Sequence, residues 1–556
     1  MKRKLFNILG AVAAAFTLAG CSLDINEDPY AVTNLDMAQL LTATEYEVGY
    51  TFAEGHYLNA NFSAYTHHTV SREIDNYSLV ASYSTLGNTW SQAYRYAIKN
   101  CDELISAGDE EGNVIYAGIG RILRAHIYMA MTDLFGDIPY SEANNPEFTT
   151  PKPDKSADIY NDLLVSINKA IANFKDTEAA NTLKPGANDL FYGGNVDKWL
   201  KAANTLKLKL LVQSRLAKAQ INGWASELSS VIAENNFIGD GEDLQYPHSS
   251  ALTPSDERNT GYVDEYQGGQ KSVWISPWMY EIMKGLTYNF KANPLRGIED
   301  PRCNYYWYNQ STATSDAVNK TDYRDGAFIS IMMGSNSGFT SNTQEAAMTC
   351  LGIYPIGGKF DDGKGGKITS SDGNGIAPDK MLQAYSVPFM KAELVLAGEI
   401  QGDAKALLVE GIKASITHVN SVSKASDASV PGISSEATSI FTDAVTALFD
   451  AASAEKKMEI VMTEKWIANF YNPVEAYNDI RRTGYPILFT GDANNMAYTP
   501  YTQTVEAAQG LTPYNLVTIL KYPRILWYPQ EETTVNPNIT NKGRVVSDKN
   551  VFWDVK

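Results

Sequence analysis

From Trp90 onward the large apolar residues of this chain recur at intervals of three and four, and that spacing constrains the fold more than any other feature. Trp90, Tyr94, Ala97, Cys101 and Leu104 fall on one face of a helix. Ile119, Ile122, His126, Met129 and Asp133-Leu134 repeat the rule on a second helix. Ile159, Leu163, Ile167, Ala170 and Phe174 mark a third; Trp199, Ala202, Ala203, Leu206 and Leu210 mark a fourth. Loops rich in Gly, Pro, Asn and Asp separate them. The helices therefore come in pairs over about residues 88–235. Strand signals are few and short, which predicts a mainly α fold.

Paired helices of this size resemble tetratricopeptide units, although the spacing is irregular and the consensus incomplete. The middle, about 237–380, is rich in Gly, Asn, Ser, Asp and Tyr and reads as an irregular, loop-rich insert. Helical periodicity returns over Met381 to Glu399, Asp403 to Val419, Ser439 to Asp450 and Ala454 to Phe470. From about Gly484 a Pro- and Tyr-rich coil should wrap the body. No Pro/Ser-rich linker follows residue 35, so residues 36–556 are expected to form one continuous body: paired helices, insert, then C-terminal helices and coil over about 381–556.

The N-terminus reads MKRKLFNILGAVAAAFTLAGC. A basic start, Lys2-Arg3-Lys4, precedes an apolar run from Leu5 to Ala19 that is too short to span a bilayer. It has the shape of a secretory signal over 1–20. Leu18-Ala19-Gly20-Cys21 resembles a bacterial lipobox, in which the cysteine is acylated and becomes the first residue. Three acyl chains would exceed what stable anchoring needs, so Cys21 should tether the chain to a membrane. The competing reading is an ordinary signal peptide with Cys21 incidental. A lipidated linker follows over 21–35, with Ser22, Asp24, Glu27 and Asp28 resembling outer-membrane sorting and surface-export signals. Cys101, Cys303 and Cys350 form no CxxC and leave an odd number, so they are expected to be buried or partly buried free thiols. Loss of Lys2, Arg3 and Lys4 with the leader takes the formal charge from −18 to −21. Such a charge repels nucleic acid and anionic lipid heads.

HExxH, GxSxG and Walker A sequences are absent. Gly334-Ser335-Asn336-Ser337-Gly338 has Asn where a nucleophile elbow needs Ser. Glycoside hydrolysis needs two carboxylates across a cleft, and among 64 acids no sequence pair stands out. His67-His68 would face opposite ways on a strand and make a poor metal site. Asp361-Asp362-Gly363 and Asp372-Gly373-Asn374 look faintly like calcium loops but lack the spaced oxygens and closing Glu. No cofactor is expected.

Ordered blocks along the chain resemble the SusD/RagB family of outer-membrane nutrient-binding lipoproteins, in its SusD-like branch. They include Asn26-Glu27-Asp28-Pro29, Leu40-Leu41-Thr42-Ala43 and Trp90-x-x-x-Tyr94. Arg124-Ala125-x-x-Tyr128 leads into Thr132-Asp133-Leu134-Phe135-Gly136-Asp137-Ile138-Pro139-Tyr140-Ser141-Glu142-Ala143. Gly193-Gly194-Asn195-Val196-Asp197-Lys198-Trp199, Asp300-Pro301-Arg302, Lys391-Ala392-Glu393 and Glu464-Lys465-Trp466 follow. Arg481-Arg482-Thr483-Gly484, Pro523-Arg524-Ile525, Tyr528-Pro529-x-Glu531 and Asn536 close the set. Gly194-Asn195 departs from the more usual Gly-Asp pair, and Leu394 stands where Ala is common. Most blocks read as structural: Gly136 and Pro139 should end a helix, Trp199 and Trp466 should be core, and Arg481 and Arg482 should pair with acids or cap carbonyls.

The resemblance implies a SusD-like fold, tetratricopeptide-like pairs against the loop-rich region. It also implies a lid that captures an oligosaccharide or other nutrient oligomer at the cell exterior. The lid would deliver its cargo to a SusC-like TonB-dependent transporter, without catalysis. Sugar rings favour aromatic platforms with polar rims, and the chain carries 33 Tyr and 9 Trp. Two clusters outside the regular helices are the candidates, in the general regions from which the family draws its ligand sites. One holds Tyr65, Thr66, His67, His68, Arg72, Asp75, Tyr77 and Tyr83. The other spans Tyr262 to Trp307, with Tyr266, Trp274, Trp278, Tyr305, Tyr306 and Trp307. The alternative for each ring is packing of loops onto the helices. A surface glycoside hydrolase and a periplasmic helical-repeat scaffold are the competing functions.

Overall fold

A computed structural model describes residues 36–53, 57–72, 77, 83–268, 271–288, 292–312, 323–331, 333, 346–488, 521–547 and 551–555. The leader, Cys21, the linker to residue 35, Asp75 and the 334–338 segment lie outside these residues. The first helices are α1 (Met37–Thr51), α2 (Tyr57–Tyr65), α3 (Tyr83–Ser91) and α4 (Lys99–Glu110). A π-helical stretch, Gln92–Ile98, joins α3 to α4. Next come α5 (Val114–Phe135), α6 (Ser156–Lys175), α7 (Val196–Gln213) and α8 (Trp224–Glu234). Neighbours in sequence pack as hairpins: α4 on α5, α5 on α6, α6 on α7 and α7 on α8.

The predicted stripes are the buried faces. Cys101 and Leu104 of α4, and Ile159, Leu163, Ile167 and Ala170 of α6, are buried. The α5 helix is buried along nearly its whole length, which is why its sequence is apolar on several faces. It can approach α4 closely because Gly108 has no side chain: a Cβ there would lie 2.7 Å from the Ala117 backbone nitrogen. Gly136 ends α5 at φ 75°, donating its N–H to the Thr132 carbonyl at 2.8 Å. A left-handed residue is what Gly supplies at low cost.

Among the described residues, the other α-helices of six residues or more are α9 (Pro277–Met283), α10 (Ser386–Leu396), α11 (Ala404–Ser426), α12 (Ser435–Ala451), α13 (Ala454–Ala468), α14 (Pro473–Thr483) and α15 (Gln530–Val535). Short strands pair two by two. They are β1 (Thr69–Ser71), β2 (Ile138–Pro139), β3 (Pro153–Asp154), β4 (Leu244–Tyr246), β5 (Val273–Ile275), β6 (Trp307–Tyr308), β7 (Arg324–Asp325), β8 (Phe328–Ile329), β9 (Cys350–Leu351) and β10 (Asp379–Leu382). The pairs are β1–β5, β2–β3, β4–β10, β6–β9 and β7–β8. The helix expected from Met381 is corrected here. Met381 and Leu382 belong to β10, and α10 begins at Ser386. A short apolar run does not distinguish strand from buried helix; the partner strand β4 decides.

Buried charge ties the distant parts together. Glu393 of α10 meets Arg215 at 3.0 Å and Arg482 of α14 at 2.9 Å. Burial opposes its charge, but Arg482 and Arg215 outweigh it and hold the carboxyl down at about 2. Arg302 lies fully buried between Asp300, bonded at 2.9 Å, and Glu464, at 2.8 Å. Asp133 accepts from Trp553 Nε1 and from Asn478 Nδ2, both at 2.8 Å. Arg481 donates to the Asp133 and Arg524 carbonyls, each at 2.8 Å. The C-terminal coil thus lies across α5 and α14. Trp199 and Trp466 are core, and Cys101, Cys303 and Cys350 are buried free thiols. Among the described residues no helix is long and apolar enough to cross a membrane.

Candidate ligand-binding site

The two aromatic clusters, about 200 residues apart in sequence, meet. β1 pairs antiparallel with β5, placing Val70 opposite Trp274 and Ser71 opposite Val273. α2 leads into β1 through a turn at His67, held at φ 57°. The His67 Nε2 is 2.7 Å from the Tyr77 hydroxyl, and its ring lies 5.5 Å from that of Trp278. Ser276 caps α9 through the Trp278 N–H at 3.1 Å and so positions that indole. Behind β5 a second π-helical turn, Val263–Gln267, presents Glu265, which accepts the Ser272 and Val273 N–H groups at 3.0 and 3.2 Å. Burial, and then the charge of Asp264, push the Glu265 carboxyl up to about 8.

The rings form the floor of this region rather than platforms open to a ligand. Tyr65, His67 and Trp274 are 0% exposed, as is Tyr306; Tyr77 is 1%, Trp307 2%, Tyr266 4% and Trp278 5%. Tyr306 is stacked between Tyr354 and Phe470 at 5.0 and 4.8 Å. Tyr266 donates to the Leu351 carbonyl at 2.7 Å. Irregular backbone has no periodic face of its own to bury, so loop aromatics supply its core. That is the physical reason the expectation of exposed faces gives way. Of the predicted contacts among the described residues, Arg72 alone is half-buried. Two surface groups of this region escaped sequence reasoning. Tyr288 is 40% exposed, and the nearby Asp325 charge, with some burial, raises its hydroxyl pKa. Asp325 also accepts from the Tyr280 hydroxyl at 2.9 Å. An isolated aromatic in a loop carries no spacing signal that would have singled out Tyr288.

His67 and His68 stand in a turn before β1, not on a strand. Burial pushes both down to about 3, so both are neutral. Among the described residues no group of His, Cys, Asp and Glu is placed to hold a metal ion. Asp361 instead accepts from Asn309 Nδ2 at 2.7 Å and the Gly363 N–H at 3.0 Å, and Asp372 accepts the Thr369 N–H at 2.7 Å.

A cavity of about 630 Å³ opens elsewhere, between the start of α7, the 240–248 segment and α11. Its histidines bind neighbouring acids: His248 meets Asp379 at 2.8 Å and His418 meets Asp243 at 3.3 Å. The first pair fastens the segment after β4 to β10, and the second fastens α11 to the residue before β4.

Helical hairpins joined to a loop-rich region with an aromatic floor define a mainly helical scaffold. Residues 29–503 match the SusD-like family described as starch-binding associating with outer membrane, and the chain belongs to that family. No curated protein is similar enough in sequence to count as a match. Solved structures share the fold. A chitin-binding protein is 20% identical with a TM-score of 0.65, covering 94% of this chain and 100% of its own. A SusD/RagB family protein from Bacteroides thetaiotaomicron is 19% identical with a TM-score of 0.66, covering 94% and 99%. A SusD homolog from Bacteroides uniformis is 19% identical with a TM-score of 0.63, covering 93% and 99%.

Proposed function

We propose that this protein is an outer-membrane lipoprotein, tethered through Cys21, that binds a glycan outside the cell and delivers it to a SusC-like TonB-dependent transporter as a hinged lid. The observation that carries the reading is the match of residues 29–503 to a family described as starch-binding and outer-membrane-associated. The basic start, apolar run and lipobox-like Leu18-Ala19-Gly20-Cys21 support export and anchoring. We place the binding surface beside the β1–β5 floor, at half-buried Arg72, which follows β1, and at Tyr288 and Asp325, of which Asp325 is bonded to Tyr280 of α9. A tyrosine ring, a guanidinium and a carboxylate suit a sugar's apolar face and hydroxyl rim. Ligand would bias the lid towards its closed state by binding that state more tightly.

Calorimetric titration of the mature chain with malto- and chito-oligosaccharides tests the reading. Binding without turnover, weakened about fivefold or more by Arg72→Ala or Tyr288→Ala, is expected. Release of reducing ends, abolished by one carboxylate substitution, would replace binding with hydrolysis. Cys21→Ala should leave a folded protein that no longer fractionates with the outer membrane. Resistance of the wild type to protease on intact cells would instead favour a periplasmic scaffold.

A further inference from the structure

A second surface, lined by none of the floor residues named above, has the form of a ligand trough. Three cavities, of about 600, 500 and 560 Å³, open on the face built by the π-helical stretch, the loop after β2 and α15. Each is within the size range of small-ligand pockets. Asn144 lines all three, and Tyr94 and Arg95 line two, so the cavities adjoin one another. Taken together as one trough, adjoining cavities suit an extended molecule.

Its construction is unusual at two points. The π-helical turns of Gln92–Ile98 widen the helix, and Tyr94, Arg95 and Tyr96 from this stretch all line the trough. Such turns are rare and recur at functional sites. Asn144, at the junction, is held at φ 55° with its Nδ2 donating to Asp102 at 3.0 Å. Asn is one of the few non-glycine residues that adopt this uncommon conformation readily.

We infer that this trough is a second glycan-binding surface, taking an extended, uncharged polysaccharide chain in addition to the site beside the β1–β5 floor. Tyr96 is 40% exposed, with the Arg95 guanidinium over its ring at 5.5 Å from the centre, and Arg95, Lys99 and Glu103 are exposed around it. Deeper in, Arg124 lies 4.7 Å from the Tyr128 and Tyr140 ring centres and binds Asp102 at 2.6 Å. Asp154, Asp158 and Asp162 line the same end and disfavour a polyanion. An extended peptide that bound by adding a strand would need an open sheet edge. The ribbon beside the trough sets Pro139 opposite Pro153, and neither has an N–H to offer. Side chains with hydroxyl, amide, guanidinium and carboxylate groups remain, which is the chemistry that reads sugar hydroxyls.

The inference rests on the glycan reading above, and one experiment separates their failures. Tyr96→Ala, Arg95→Gln and, independently, Tyr288→Ala are titrated with maltotriose, chitobiose, maltoheptaose and chitohexaose. Each is also run in native gels containing soluble starch or glycol chitin. Tyr96 and Arg95 are exposed, so thermal melts matching the wild type are expected. The trough variants should bind the short sugars as wild type does but lose about tenfold in apparent affinity for the long glycans, because a second contact adds through effective concentration. Wild-type behaviour of both trough variants on every long glycan that the wild type binds overturns the trough and leaves the first site standing. A wild type that binds none of the glycans overturns both. Loss on Tyr96→Ala with no effect of Tyr288→Ala supports the trough and removes the first site.

Discussion

Trp307 lies 2% exposed, its ring centre 5.7 Å from Tyr280 and 6.1 Å from Phe328. Its removal empties core volume, so Trp307→Ala should cost about 3–5 kcal/mol in chemical denaturation. A variant as stable as the wild type would show that the indole does not pack there. Glu265 gives a pH signature. The folded chain keeps a proton on this carboxyl up to about 8, whereas the unfolded chain releases it near the ordinary carboxylate value. Its contribution is therefore full at low pH and is lost as pH rises towards 8. Glu265→Gln keeps an acceptor for the Ser272 and Val273 N–H groups and removes the titration. Between pH 5 and 8 the wild type should lose more stability than the variant, by an amount on the order of a few kcal/mol. Equal losses would mean that Glu265 is ionised in the fold.

The helical hairpins depend on close backbone approach as much as on apolar stripes. Gly108→Val places carbon atoms against the Ala117 backbone, where even a Cβ would stand at 2.7 Å. A destabilisation of about 1–3 kcal/mol is expected from forcing α4 and α5 apart, read from denaturant midpoints. No change would require α4 to shift freely. The periodicity of α4 and α6 was legible because each has one wet face. That of α13 was weaker in principle, since Glu459 to Ala468 are all buried and no polar face marks the turn. Its helix was still legible from length and composition. β10 was not, because pairing with β4 overrides what a short apolar run prefers alone.

The parts of the molecule are joined by buried ions from distant segments. Glu393→Ala would leave Arg482 and Arg215 without their shared carboxylate, in a place where Arg482 is fully buried. Removing one partner of such a set costs about 3–5 kcal/mol, and loss of cooperative unfolding in calorimetry would accompany it. Retained stability would mean that water reaches the guanidinium groups. The family blocks around Asp300, Glu393, Glu464 and Arg481 are these connections, which is why their sequence reading as structure rather than ligand contact holds.

By itself the sequence determined the helical character, the buried stripes, the helix stop at Gly136 and the family, since local spacing and ordered motifs are properties of the chain. It also gathered loop aromatic residues into two groups as candidate ligand contacts. Only the tertiary structure decided that these groups meet through β1 and β5 and turn their rings inward. Exposure is a property of what packs on a residue, and for loop aromatics that partner comes from remote sequence. The same holds for Tyr288 and for the trough, whose walls are assembled from segments that no linear pattern connects.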